Sequence, residues 1–188
     1  MYNHSAVQHL DDLYTIRWSD CAVHKYTNIL NGGSMKKTPI ARLDQRRNYS
    51  TATLYKDQCI FIIGGYESSL TDSVLALGLK YHQFTEYPKL NQARSDHGAT
   101  VLGSSIFVYG GEGKGHSSLD TIERLNVDAN EDWSMFSIPG IGKRFGVLVC
   151  SPNDMSFVIA GGFSNDYQSD VILVYPEFLT AGTVVAWS

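Results

Sequence analysis

A pair of glycines that follows an apolar run recurs three times in this chain, and this repeat is the feature that most constrains its fold. The apolar runs of CIFIIGGYES, SIFVYGGEG and SFVIAGGFS end at Gly64–Gly65, Gly110–Gly111 and Gly161–Gly162. The first glycines of the pairs are separated by steps of 46 and 51 residues. A nearly fixed period of this length predicts a chain built from structural repeats.

Other residues recur in register with the glycine pairs. An arginine precedes the first glycine of each pair by 16 or 17 residues, at Arg47, Arg94 and Arg144. An aspartate that opens the next apolar run follows each pair, at Asp72, Asp120 and Asp170. A chance glycine turn could explain one pair, but it does not explain three pairs that each follow an arginine at a nearly constant distance.

Each repeat is expected to contain four short strands. In the middle repeat the segments GATVLG, SIFVYG, TIERLNV and DWSMFSI are rich in β-branched and aromatic residues, which is typical of strands. Residues 60–63 are apolar at every position, and this predicts a strand that is buried on both faces between two sheets. Glycine allows backbone angles and close approaches that a Cβ forbids, so the glycine pairs predict crowded exits from the second strands.

The pattern resembles the kelch repeat, in which a double glycine follows a hydrophobic strand and an aromatic residue comes later. Trp133 matches the later aromatic in the second repeat, and Phe84 stands at that position in the first. The resemblance covers residues 45–188 and implies an all-β fold, a kelch-type β-propeller or part of one, with one four-stranded blade per repeat. The repeats are predicted at residues 47–93, 94–143 and 144–188, and the third ends irregularly.

Residues 1–46 are predicted to form a partial blade of two strands and a basic linker. DDLYTIRW reads as the third strand of a blade and AVHKYTNIL as the fourth, and Gly32–Gly33 is expected to be a turn. The basic segment from Lys36 to Arg47 is expected to be the linker. The chain then supplies about three and a half blades, fewer than usually close a propeller. The chain is then part of a longer propeller, or an arc completed by another chain, or a strained open form, and open edges favour self-association.

A candidate binding rim follows from the order of the strands. If the strands of a blade run alternately up and down, the start of the first strand and the end of the second lie on the same rim. This rim is predicted to gather Arg47, Tyr66, Arg94, Glu112, Lys114, Arg144 and Phe163. Arginines and aromatic residues on loops of a rigid scaffold are common in protein-binding surfaces, and in some kelch propellers an arginine at this position lines the partner pocket. Alternatively, each arginine ties its own blade to the next through hydrogen bonds to carbonyl groups.

Catalysis has little support in the sequence. The three cysteines and six histidines share no metal-ligand spacing. Gly113-Lys114 in GGEGKGHSS does not fit a P-loop, because Gly115 follows it and Val108 stands upstream where the first glycine is required. The copper ligands and the tyrosine–cysteine crosslink of galactose oxidase-like propellers have no match here. The sequence therefore predicts no metal, no cofactor and a noncatalytic protein-interaction module; the alternatives are a propeller enzyme and a fragment of a longer kelch protein without independent function.

The composition bounds the class of partner and the location. The 188 residues are 43% hydrophobic and carry a net charge of −4, which does not favour nucleic acid as a partner. The apolar runs are too short to cross a bilayer. The first residues, MYNHSAVQHLDD, lack the basic cluster and apolar stretch of a secretory signal, so a cytoplasmic location with protein partners is expected.

Overall fold

The computed structural model describes residues 4–28, 34–129, 131–137, 142–164 and 166–181, and these residues form a partial β-propeller of four blades. The two helical segments within them, Lys114–His116 and Pro176–Ala181, are short 3-10 helices. The all-β propeller fold implied by the resemblance is confirmed.

The N-terminal residues form a complete four-stranded sheet, blade 1, with the strand order β1–β2–β3–β4. Its strands are β1 (His4–His9), β2 (Asp12–Arg17), β3 (Ala22–Thr27) and β4 (Lys36–Arg42). The prediction of two strands and a linker is wrong here, because DDLYTIRW contains the second strand and AVHKYTNIL the third, while the basic segment supplies the fourth.

Two local features conceal blade 1 in the sequence. Its second and third strands are joined by a tight turn at residues 18–21 without a glycine pair. Its fourth strand lies at the edge of the sheet, where exposed lysines and prolines are tolerated, so it lacks the apolar signal of a buried strand. The predicted turn at Gly32–Gly33 lies outside the described residues.

Blades 2 and 3 are the first and second repeats, and each has four antiparallel strands. Blade 2 contains β5 (Thr51–Tyr55), β6 (Cys59–Ile63), β7 (Val74–Gly78) and β8 (Phe84–Tyr87). Blade 3 contains β9 (Gly98–Leu102), β10 (Ser105–Tyr109), β13 (Thr121–Asn126) and β14 (Ser134–Ser137). A small hairpin, β11 (Glu112–Gly113) and β12 (Ser117–Ser118), lies in the loop after the second glycine pair.

Blade 4 is the third repeat, and the described residues give it three strands. These are β15 (Leu148–Cys150), β16 (Phe157–Ala160) and β17 (Val171–Val174). The described residues thus form four blades, three of four strands and one of three, where the sequence predicted about three and a half. The incomplete blade lies at the C-terminal end of the described chain, whereas the sequence placed it at the N-terminal end.

The blades follow one another in chain order around a common centre. The first strand of each blade contacts the first strand of the next, in the series β1, β5, β9 and β15. Three apolar clusters lie between successive blades. Ile60 and Ile62 face blade 1, whereas Phe61 and Ile63 face blade 3, so strand β6 is buried on both faces as its continuous apolar run predicts.

The first glycine pair lies where blade 2 meets blade 3. The backbone N–H of Gly65 donates a 2.8 Å hydrogen bond to the carbonyl oxygen of Arg94. Gly64 has a φ of +59°, and a Cβ on this residue would lie 2.5 Å from that same oxygen. The crowding that the sequence predicts at the strand exit therefore comes from the neighbouring blade.

Trp133 also joins two blades. Its indole is almost fully buried in the cluster between blades 2 and 3, and its Nε1 donates a 2.8 Å hydrogen bond to the carbonyl oxygen of Pro88. The late aromatic of the repeat thus packs against the end of the preceding blade.

Candidate functional site

Arg94 lies inside its blade, with 0% of its surface exposed. One guanidinium nitrogen donates a 2.8 Å hydrogen bond to the carbonyl oxygen of Gly110, and the other donates a 2.6 Å bond to Glu123, which is equally buried. Burial lowers the pKa of Arg94, and the charge of Glu123 opposes this shift. The side chain therefore joins the start of the first strand to the end of the second and the beginning of the third.

The other two repeat arginines occupy the same place with different partners. Arg144 donates to both carboxylate oxygens of Asp170, at 2.6 and 2.7 Å. Arg47 donates to the carbonyl and hydroxyl oxygens of Ser73, at 3.2 and 2.9 Å, and burial lowers its pKa. The structure thus places all three guanidinium groups within their own blades and not on the rim surface. This corrects their assignment to the binding rim and favours the alternative that the arginines stabilise the repeat through hydrogen bonds.

Tyr66, Glu112 and Phe163 each follow a glycine pair directly, and each is held at the rim by its backbone. Glu112 and Ser95 exchange two backbone hydrogen bonds, of 2.7 and 3.1 Å. The same bridge joins Tyr66 to Asn48, and Phe163 to Phe145. These backbone bridges fix the positions from which three different side chains project.

An inner row of residues, which the sequence analysis missed, lies closer to the centre. Tyr49, Asp96 and Gly146 come two residues after the repeat arginines and have φ values of +59°, +51° and +65°. The N–H of Asp96 donates to the carbonyl oxygen of Tyr49 at 2.9 Å, and the N–H of Gly146 donates to that of Asp96 at 2.6 Å. The constant offset from the arginines is the sequence signal that could have found this row.

A cleft runs between the rim loops of blades 2 and 3, and it consists of two adjoining cavities of about 410 and 350 Å³. The two cavities share Tyr66, Glu112 and His116. The outer one is also lined by Leu70, Ala93, Gly113, Lys114 and Gly115, and the inner one by Tyr49, Ser95 and Asp96. These residues together are called the rim cleft below.

The inner end of the rim cleft is acidic and aromatic. Burial raises the pKa of Asp96 to about 6, and the nearby charge of Glu112 adds to the shift. Glu112 in turn pairs with Nδ1 of His116. Tyr49 and Tyr66 are each 40% exposed, so both phenol rings are accessible beside the two carboxyl groups. Lys114 lies at the opposite, outer end of the cleft.

The rim cleft brings together only part of the predicted rim. Tyr66, Glu112 and Lys114 line it. Phe163 instead packs against Phe145 and Tyr167, with ring centroids 5.3 and 5.2 Å apart, on blade 4.

The described part of the chain contains no group of three or more His, Cys, Asp or Glu side chains that could hold a metal ion. Within the same residues, neither helical segment is long and apolar enough to cross a membrane.

Comparisons with known proteins agree with the repeat and the fold. The family model for the kelch motif matches residues 93–135. Beta-scruin of Limulus polyphemus is 24% identical over 123 residues, 61% of this chain and 13% of that protein. Kelch repeat and BTB domain-containing protein 1 of cowpox virus is 29% identical over 123 residues, 63% of this chain and 21% of that protein. An F-box/kelch-repeat protein of Arabidopsis thaliana is 34% identical over 92 residues, 47% of this chain and 23% of that protein.

The matched region therefore spans less than a quarter of each of these relatives.

Proposed function

Because residues 93–135 match the kelch motif and the chain is similar to kelch-repeat proteins, we propose that it is a noncatalytic protein-interaction module whose rim cleft binds a segment of a partner protein. The observation that carries the proposal is the rim cleft itself, in which accessible tyrosines and carboxyl groups project from backbone positions fixed by hydrogen bonds. Loops on a rigid scaffold are frequent sites of recognition.

The two ends of the rim cleft suit different parts of a partner segment. Leu70 and Ala93 line the outer cavity together with Tyr66, which suits an apolar side chain. Asp96 and Glu112 lie beside two accessible phenol rings at the inner end. A lysine or arginine side chain is attracted both to carboxylates and to the faces of aromatic rings. The partner segment is therefore expected to place a basic side chain toward the centre of the propeller.

Affinity capture with this chain, followed by calorimetry with each purified partner, tests the proposal. Tyr66→Ala is expected to weaken binding about 30-fold, since a hot-spot residue contributes about 2 kcal/mol or more. Tyr81→Ala is the matched control, because Tyr81 is 70% exposed in the turn between β7 and β8, on the opposite rim. A melting curve of each variant separates lost binding from lost folding.

Two results would contradict the proposal. Partner binding that survives Tyr66→Ala and Glu112→Gln at full strength would exclude the rim cleft. Loss of binding with Tyr81→Ala, or with substitutions in the turns near Asp57, Ser104 and Asn153, would move the binding face to the opposite rim.

A further inference from the structure

A further cavity, called the central cavity below, lies inward of the rim cleft and has a volume of about 180 Å³. Tyr49 and Asp96 line both the central cavity and the inner end of the rim cleft, so the two spaces adjoin. Residues of all four blades meet around the central cavity, which places it at the middle of the propeller. They are Trp18 of blade 1, Tyr49, Ser50 and Thr51 of blade 2, Asp96 and His97 of blade 3, and Gly146 of blade 4.

Two buried side chains that line the central cavity carry polar atoms without a hydrogen-bond partner. Ser50 is 6% and His97 is 5% exposed. Within the described chain, the Oγ of Ser50 and both ring nitrogens of His97 lack a partner. Burying a polar atom without a hydrogen bond costs free energy, so most buried polar atoms in folded proteins are paired. These three atoms therefore require partners that the described chain does not supply.

Ser50 and His97 lie where blade 2 meets blade 3, and each of these blades has a described blade on its other side. A Cβ on Gly64 would lie 2.9 Å from Cε1 of His97, and a Cβ on Gly65 would lie 3.0 Å from Cβ of Ser50. The first glycine pair thus packs against both side chains. Their positions are set by the joint between two complete blades and not by the ends of the chain.

The unpaired atoms of the central cavity include hydrogen-bond acceptors. Burial lowers the pKa of His97 to about 3, so its imidazole is neutral at physiological pH and one ring nitrogen accepts a hydrogen bond. The hydroxyl oxygen of Ser50 also accepts. Arg94, whose charge adds to the shift of the His97 pKa, is already paired with Glu123. A donor from outside the described chain would complete both side chains.

Asp96 gives the central cavity a negative charge. Within the described chain its carboxyl group has no ion-pair or hydrogen-bond partner, and the charge of Glu112 nearby is of the same sign. The accessible ring of Tyr49 lines the same space. A guanidinium group carries a positive charge, five N–H donors and a planar face that stacks on aromatic rings. An ammonium group is more strongly hydrated and has no planar face.

We propose that the central cavity binds an arginine side chain of the partner segment. The guanidinium group donates hydrogen bonds to Asp96, His97 and Ser50 and stacks on the ring of Tyr49. This inference rests on the proposed function, since the arginine reaches the central cavity through the rim cleft. It assigns the basic side chain of the partner to one residue type, because a lysine offers fewer donors to the unpaired acceptors.

A titration followed by NMR tests the arginine site with three small probes. They are the N-acetyl methylamides of arginine, lysine and citrulline, of which citrulline has nearly the shape of arginine without its charge. The arginine probe is expected to shift the ring signals of His97 and Trp18. It is also expected to bind about tenfold or more tightly than the other two probes, since a hydrogen bond to a charged group is stronger than one between neutral groups.

Two variants separate binding from folding. Ser50→Ala and His97→Leu are each expected to weaken binding of the arginine probe about tenfold, because each removes an acceptor from a charged donor. Neither variant should lower the melting temperature, since the deleted atoms have no partner in the free chain. Ser104→Ala removes a hydroxyl from the opposite rim and is the matched control, which should bind the probe as the parent does.

The arginine site would be overturned if the arginine probe shifted no signal of His97, or bound no more tightly than the lysine and citrulline probes. Equal binding of the arginine probe to the parent, Ser50→Ala and His97→Leu would also overturn it and would indicate that ordered water alone completes these atoms. A partner protein whose binding still depended on Tyr66 would, in either case, leave the proposed function of the rim cleft intact.

Discussion

The backbone N–H of Gly111 donates a 2.7 Å hydrogen bond to the carbonyl oxygen of Arg144, which opens the next repeat. A Cβ on Gly110 would lie 2.5 Å from the same oxygen, and a Cβ on Gly111 would lie 2.5 Å from the carbonyl oxygen of Ser95. Both glycines also have a positive φ, of +67° and +96°. The double glycine is therefore a joint between blades, where backbone meets backbone without room for a side chain.

Gly110→Ala is expected to destabilise the fold much more than Gly161→Ala. Both positions have a left-handed backbone, which costs a non-glycine residue about 1–2 kcal/mol. At Gly161 the nearest contact of an added Cβ is the carbonyl oxygen of Gln168, at 3.6 Å. Gly110→Ala adds a collision with backbone and should bring the loss to about 3 kcal/mol or more.

Urea denaturation of both glycine variants measures this difference. Equal midpoints would show that backbone conformation alone, and not the contact with the next blade, explains the glycine.

Arg94→Met is expected to cost about 3–5 kcal/mol of stability, because it leaves the carboxylate of Glu123 buried without its cation. Arg47→Met is the matched variant, since Arg47 donates its hydrogen bonds to the neutral Ser73 and removing such bonds costs about 1–3 kcal/mol. Chemical denaturation gives both values. If Arg94→Met left stability unchanged, the buried ion pair would not support the blade.

Asp96→Asn is expected to stabilise the protein at neutral pH. The folded state raises the pKa of Asp96 from 3.8 to about 6, so the folded chain binds this proton more tightly than the unfolded chain does. The stability that Asp96 contributes is therefore present below about pH 4 and is lost as the pH rises through about 6. Asparagine also tolerates the left-handed backbone at this position.

Thermal unfolding measured from pH 4 to pH 8 tests whether the stability contributed by Asp96 falls as the pH rises. The parent should lose stability relative to Asp96→Asn across that range, and parallel curves for the two proteins would contradict a raised pKa.

Asp170→Asn is expected to show the opposite dependence. The hydrogen bond from Arg144 lowers the pKa of Asp170, so this carboxylate stabilises the fold above its unfolded pKa and the contribution is lost as the pH falls through the folded value. The variant should melt below the parent at neutral pH and approach it in acid. A difference in melting temperature between the two proteins that stays constant down to low pH would mean that Asp170 does not stabilise the fold through its charge.

Much of blades 2 to 4 could be predicted from the sequence because their signals are local. The apolar run of β6 and the glycines after it identify a doubly buried strand and its crowded exit without knowledge of the neighbours. The register of the arginines likewise indicates where each blade begins. Blade 1 gave no such signal, since its turn at residues 18–21 is tight and its edge strand β4 is basic.

The side-chain environments were decided by tertiary structure. The sequence predicts Arg94 as a rim residue. In the structure its guanidinium lies inside the blade, where it donates a hydrogen bond to Glu123, 29 residues later. Likewise, Tyr49 and Asp96 are brought to one cleft by a hydrogen bond between the backbones of successive blades. The sequence predicts the strands of the repeats, because strand formation depends mainly on the residues of each strand itself. Burial, ionisation and the shape of the rim depend on what the adjacent blade places against each residue, and a repeat pattern does not contain that information.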